Sequence, residues 1–293
     1  MTKVLSMTQD STYRIRVDLA YDGTSYRGWA KQPGLPSVQA AVETGLETIF
    51  RGPIRTTVAG RTDAGVHAAH QVIHFDLTTD QWHKLPGHTP QRAPEEAMVS
   101  KLNGVLAREA GAIRILTARI APEGFDARFS PVSRSYRYRI THGTPDPLTR
   151  HYTYTHRRAL DVEAMITETN GVEGLHDFGS FCKPRPGATT IRQLETFAVE
   201  VAQDAIIVRL TADAFCHHMV RALVGALLMV GDGSRAPGWL QDRLAHPVRD
   251  SHMALAPAHG LLLETVHYPA DTEVGQRADE TRARRTTTSS SCD

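Results

Sequence analysis

Along residues 13–21 the apolar Tyr13, Ile15, Val17, Leu19 and Tyr21 alternate with Arg14, Arg16 and Asp18, and a period of two predicts a half-buried strand. A glycine-containing loop follows at 22–34. Ser37 then reads as an N-cap, ahead of a helical stripe of Val38, Ala41, Val42, Leu46, Ile49 and Phe50. Short strands near 56–59 and 71–76 flank the segment AGRTDAGVHAAH. A loop holding Pro and His (82–94) leads to a helix near 95–109, and 113–120 reads as a strand. The predicted order of this half is β-α-β-β-α-β.

The second half repeats the theme. Residues 135–141 alternate as a strand, and Asp161 caps a helix carrying Val162, Met165 and Ile166. Residues 197–202 and 205–212 read as a hairpin. A strongly apolar helix is expected over 215–231, with Met219, Leu223, Leu227 and Val230 near helical spacing. A short helix at 239–244 and a closing strand at 260–268 complete the pattern. The fold class expected is therefore α/β of the α+β type, with two ferredoxin-like, split βαβ subdomains and largely antiparallel sheets. The expected boundaries are a disordered tail at 1–12, subdomains at 13–120 and 121–268, and a disordered tail at 269–293. That last stretch has almost no apolar residues and ends TRARRTTTSSSCD.

Composition narrows the class. A chain of 293 residues with 41% hydrophobic and 22% charged positions can bury a large core without staples. Three cysteines, Cys182, Cys216 and Cys292, are too few and scattered for a disulfide framework or a cysteine-rich zinc site, which points to a reducing compartment. No apolar signal segment is seen at the start, and the longest apolar run, 222–230, is too short to span a bilayer. A cytoplasmic protein without membrane partners is expected. The formal charge of +1 does not announce a nucleic-acid binder. Of the 33 basic residues, however, only five are lysine. Arginine's fork suits phosphate, but arginine-favouring codons would give the same excess, so placement must decide. Arg61, Arg128, Arg134, Arg137, Arg139 and Arg221 fall in or beside the segments that carry chemistry. Glu43, Glu47, Glu95, Glu96, Glu163 and Glu168 fall in predicted helices, so a neutral protein with a central basic cleft is expected.

The densest candidate for chemistry is GRTDAGVHA at 60–68, where two glycines permit tight geometry around Asp63 and Arg61 precedes it by two. A histidine-based metal site using His67, His70 and His74, or the later His217 and His218, is the rival reading. A strand over 71–76 would not hold His70 and His74 as an i, i+4 pair, so no metal is expected. Adjacent His217 and His218 on a helix would diverge by about 100°. FDARFS (125–130) and RSYRYR (134–139) interleave arginine with aromatics. On a strand, Tyr136 and Tyr138 share one face and Arg137 and Arg139 the other, a chemistry that stacks bases but also an ordinary core strand with a charged face. Arg221, inside an apolar helix, needs a partner, and Asp63 is the candidate. HDFGSF at 176–181 lacks a nucleophile elbow, so a hydrolase triad is not expected, and no phosphate-binding glycine loop is present.

These segments together resemble the tRNA pseudouridine synthase A family. The resemblance is carried by YDGTSYRGW (21–29), SVQ (37–39), GRTDAGVHA (60–68), FDARFS (125–130), RSYRY (134–138), FGSF (178–181), FCHHMVR (215–221) and GLLL (260–263). Their order and spacing run from about 13 to 268. The resemblance implies a pseudouridine synthase fold and a cofactor-free homodimer that isomerises uridine at positions 38–40 of the tRNA anticodon stem-loop. It further implies that Asp63 is the nucleophile, Tyr136 the tyrosine over the target base, Arg221 the partner of Asp63, and Arg61 an RNA contact. Arg128, Arg137 and Arg139 are the further candidates for RNA binding. Three positions depart from the family pattern: Ala30 for a usual glutamine, His70 for a small residue, and 103–107 without a proline after its leucine. His70, near the active loop, is expected to alter RNA contacts. A non-catalytic tRNA-binding or folding protein using the same surface is the alternative.

Overall fold

In the computed structural model, residues 11–89, 91–183, 187, 189–202, 204–248 and 253–286 are described. The first half contains β1 (Thr12–Tyr21), α1 (Val38–Phe50), β2 (Thr57–Val58), β3 (His67–Thr78), α2 (Thr79–His83), α3 (Pro94–Leu106) and β4 (Ile113–Ile120). The second contains β5 (Ser133–His142), β6 (Tyr154–His156), α4 (Val162–Glu168), β7 (Gly174–Asp177), β8 (Ile191–Ala202) and β9 (Ala205–Ala212). It continues with α5 (Met219–Gly231), α6 (Trp239–Ala245), β10 (Leu261–His267) and α7 (Val274–Thr286).

The local signals explain most of these elements. Ser37 caps α1 by accepting from the Ala40 amide, and Val38, Val42 and Leu46 form the buried stripe. Asp161 caps α4 in the same way through Ala164. Thr78 and Gln81 form a reciprocal capping box that starts α2 directly off the end of β3. Two of the helix acids are buried. Glu43 accepts from the Thr56 amide and hydroxyl and from Gln39, while Glu168 accepts from the Gly238 and Leu240 amides at the start of α6. Each satisfies loop amides that would otherwise be buried unpaired.

The strands form one sheet in the order β4-β1-β3-β10-β5-β9-β8-β7, with β2 added to β3 and β6 to β5. Numbering the strands within each half makes the repeat plain. β4-β1-β3-β2 is the order 4-1-3-2, and β10-β5-β9-β8 is again 4-1-3-2. Both halves are thus the ferredoxin-like, mostly antiparallel units expected, with β7 as an extra edge. They join because β2 is only two residues long and leaves the other end of β3 open. There β10 pairs in parallel through Leu262 opposite His67 and Leu263 opposite Ala68.

Each half has its own core. Ile15, Val17, Leu19, Val42, Leu46, Phe75 and Leu102 belong to the first, and Tyr138, Phe178, Phe181, Leu210, Leu223 and Leu227 to the second. Tyr136 packs against both. The seam is interleaved: Leu263 and Val266 of β10 enter the first core, and Val66 enters the second.

The C-terminal segment corrects the sequence reading. Where a structureless tail was expected from 269, Val274–Thr286 forms a helix. Val274 and Ala278, one turn apart, are fully buried, and Arg282 pairs with Asp126 at 2.9 Å. Two small apolar residues suffice to dock it, too weak a stripe to register as amphipathic. Residues 1–10 and 287–293 of the expected tails lie outside the described residues, whereas Ser11 already hydrogen-bonds Thr79.

Candidate active site

Asp63 lies in the turn between β2 and β3, four residues before the parallel seam. The chain fixes it from both sides. Thr62 Oγ1 hydrogen-bonds the Tyr21 hydroxyl at 2.8 Å, the Trp29 amide donates to the Thr62 carbonyl, and the Gly65 amide donates to the Tyr26 carbonyl. Gln71 and Arg134 donate to the carbonyls of Gly60 and Ala59. At two glycines, segment 21–29 lies so close over this turn that a side chain would not fit. A Cβ at Gly23 would sit 2.0 Å from the Val66 carbonyl oxygen, and one at Gly28, whose φ is +95°, 2.8 Å from that of Thr62. Burial raises the Tyr21 phenol to about 12, which keeps it a neutral partner for Thr62.

The second half brings its groups to the same place. Helix α5 begins at Met219 rather than at 215, because His218 adopts φ +72°, a conformation that stops a helix being extended backwards. Arg221 therefore lies in the first turn. Its Nη1 is 3.1 Å from Asp63 Oδ2, and its Nε donates to the Ala256 carbonyl at 2.8 Å. Gly225, one turn on, lets the chain at Ala254 approach α5, since a Cβ there would lie 1.8 Å from the Ala254 oxygen.

His217 and His218 do not diverge as a helix would make them. Their Nε2 atoms lie 3.5 Å from Asp63 Oδ1 and 3.6 Å from Oδ2. Burial pushes the His218 imidazole below its ordinary value. Among the described residues, Asp63, His217 and His218 are the group whose ligand atoms converge closely enough to hold a metal ion. Sequence reasoning missed this convergence, for which the only signal was the adjacency of the two histidines to Arg221. A disulfide joins Cys182 to Cys216, the residue before His217, with 5.7 Å between Cα atoms. The low cysteine count excluded a framework, but one bond is formed.

Tyr136 is reached across the sheet, where Ala68, Leu263, Tyr136 and Leu210 stand in one row on β3, β10, β5 and β9. Its ring meets Phe215 edge-on at 5.2 Å between centroids, and burial, together with the nearby Tyr21 and Asp63, pushes its phenol up. The arginines divide. Arg61 is exposed beside Asp63. Arg128 is exposed with its guanidinium over the Phe129 ring, and its carbonyl accepts from Arg134. Arg134 itself is half-buried as a tie between three loops, donating to Asp213, Ala59 and Arg128 carbonyls. Arg137 and Arg139 lie on the opposite face from Tyr136, paired with Glu264 and Asp204. They are not gathered around Asp63.

His70 also turns away from the site. The Val266 amide donates to its Nδ1, so its Nε2 carries the proton given to Asp18 at 3.0 Å. It joins β1, β3 and β10 rather than presenting itself to a ligand. Ser180 donates to the Arg243 carbonyl and accepts from the Val248 amide, a structural role that leaves no triad.

The sequence model of a family described as tRNA pseudouridine synthase matches residues 170–269. Over the whole chain, the tRNA pseudouridine synthase A of Frankia casuarinae is 48% identical across 280 residues, covering 94% of this chain and 97% of that protein. The chain belongs to the tRNA pseudouridine synthase A family. The enzymes of that name from Leifsonia xyli and Mycobacterium leprae are 46% and 41% identical, over 96% and 97% of this chain and 100% and 99% of theirs. A member of the tRNA pseudouridine synthase A family is an isomerase, and the two-unit sheet described above fits that fold. No helix among the described residues is long and apolar enough to cross a membrane.

Proposed function

We propose that the protein converts uridine to pseudouridine at positions 38–40 of the tRNA anticodon stem-loop, with Asp63 as the nucleophile. The observation that carries this is the Asp63 carboxylate, held in a rigid turn at the seam with Arg221 3.1 Å away. The reaction breaks the N1–C1′ glycosidic bond, turns the base, and forms a C5–C1′ bond. C5 loses its proton and N1 gains one, so the product is an isomer and no redox partner or water is consumed. A fixed carboxylate can attack either C1′ or C6 and hold one fragment while the other turns; both routes remain open to this geometry.

The base must leave its stack, at a cost of a few kcal/mol. Stacking on Tyr136 and contacts from Arg61 and Arg128 offset that cost. Arg221 acts on Asp63 and is a positioning residue. Arg137 and Arg139, on the other face, would meet RNA only where it wraps beyond the site. The chain works without a cofactor, in the cytoplasm, as a homodimer, which light scattering at micromolar concentration would contradict by reporting a monomer.

The test is release of tritium from tRNA labelled at uracil C5. Asp63→Ala should lose all measurable release while binding tRNA as before. Retained release in that variant would remove Asp63 from its role, and no release from the unaltered protein would favour the non-catalytic alternative.

A further inference from the structure

The convergence of two imidazoles on Asp63 has chemistry of its own. In a tetrahedral zinc site, bonds of about 2.0–2.2 Å to nitrogen and oxygen place the ligand atoms about 3.4 Å apart. Here His217 Nε2 lies 3.5 Å from Asp63 Oδ1 and His218 Nε2 lies 3.6 Å from Asp63 Oδ2, and one ligand atom from each of the three residues lies within 4.8 Å of the others. The three side chains are each about a quarter exposed, open enough for an ion to enter.

The surroundings hold this set in place. The Lys183 amide donates to the His217 carbonyl and the Ala222 amide to that of His218, which fixes both backbones. Arg221 on Asp63 Oδ2 serves as the outer partner that orients the carboxylate. Two histidines and one carboxylate select a first-row transition ion and discriminate against magnesium, which requires oxygen ligands.

We infer that Asp63, His217 and His218 form a site for Zn²⁺ or a similar first-row divalent ion, and that its occupancy switches the isomerase off. The bound ion engages the oxygen that would attack uridine and fills the space the base must enter. Inhibition therefore competes with tRNA. The binding claim stands on geometry alone, while the inhibition claim rests on Asp63 being the nucleophile.

The experiment uses the full chain freed of metal, with a Cys182→Ser/Cys216→Ser/Cys292→Ser variant alongside to exclude cysteine sulfur as a ligand. Cobalt(II) is titrated as a spectroscopic probe and zinc is measured by equilibrium dialysis. One ion per chain is expected, with the visible d–d absorption of a four- or five-coordinate site, in both proteins. His217→Gln and His218→Gln should each weaken binding more than about tenfold, the lower end of what losing even an outer partner costs. Zinc should suppress tritium release, less so at higher tRNA, and magnesium should not displace it.

Cobalt absorption unchanged in both glutamine variants overturns the site, as does its loss in the cysteine-free chain. Should the glutamine variants not fold, the unaltered chain still decides, because binding no stoichiometric ion also overturns it. Binding without inhibition of an active enzyme overturns the switch. Binding by a chain with no activity in the absence of metal leaves the site standing and removes the reading of Asp63.

Discussion

The two halves share one strand order and use it differently. The first offers Asp63 on an eight-residue turn between β2 and β3, held by backbone and side-chain hydrogen bonds and by glycines that let segment 21–29 press upon it. The second offers Arg221 and Tyr136 from the first turn of a buried helix and the middle of a strand. A turn can be shaped by its neighbours to aim one short carboxylate, whereas a helix or a strand supplies a fixed post against which it is aimed. The seam at β3 and β10 brings the two strategies into register.

The largest expected effect tests the post. Arg221→Ala removes the only guanidinium described at hydrogen-bonding distance from Asp63 and leaves a carboxylate that is 24% exposed beside two imidazoles. Activity should fall about 100-fold, as for a misplacement of roughly an ångström, and stability by about 2 kcal/mol for a partly buried pair broken on one side. Tritium release and urea denaturation measure the two. A loss of activity below tenfold would mean that the turn aims Asp63 by itself.

Gly28→Ala tests the turn in the same currency. The new methyl would meet the Thr62 oxygen at 2.8 Å from a residue at φ +95°, so the turn must move. The expected stability loss is about 2–3 kcal/mol, with activity reduced about tenfold because Asp63 adjoins Thr62. Full activity in a destabilised variant would show that Arg221 re-aims the carboxylate after the turn has shifted.

What the sequence revealed follows the same division. β1, α1 and β4 carried clear periods and caps, and GRTDAGVHA marked Asp63 because glycines around an acid are a local signal. The pair of Asp63 with Arg221, 158 positions apart, was inferred from a charge in need of a partner and appears at 3.1 Å. The parallel join of β3 to β10 rests on two residue pairs from distant parts of the chain, and no local pattern encodes it. The meeting of His217 with His218 depends on one positive φ at a residue that is not glycine, which propensity does not foresee. The burial of Glu43 and Glu168 has no local signal, because their partners are backbone amides that come together only when the chain folds. Helix α7 escaped notice because tertiary contact through Val274 and Ala278 outweighs its composition.

The smallest effect tests the seam that lets the two strategies meet. Burial pushes the Asp18 carboxyl up, but hydrogen bonds from His70 and Arg16 outweigh it and hold the group below its ordinary value. A carboxyl lowered in the folded state contributes stability that is present above its unfolded value and is lost as pH falls through the folded one. Asp18→Asn should therefore be less stable than the natural chain by about 2 kcal/mol at pH 7, the scale of hydrogen bonds to a charged group. That gap should hold steady down to about pH 4, the ordinary carboxyl range, and close below it. Asp22, Asp76, Asp232 and Asp271 are lowered too, but they are common to both proteins and cancel in the difference. Urea denaturation at pH 7, 5, 4 and 3 reads the gap. Narrowing already between pH 7 and 5 would mean that the Asp18 carboxyl is not held below its ordinary value. A constant gap to pH 3 would mean that Asp18 ties β1 to β3 by shape and neutral hydrogen bonds, with its charge contributing nothing to the seam.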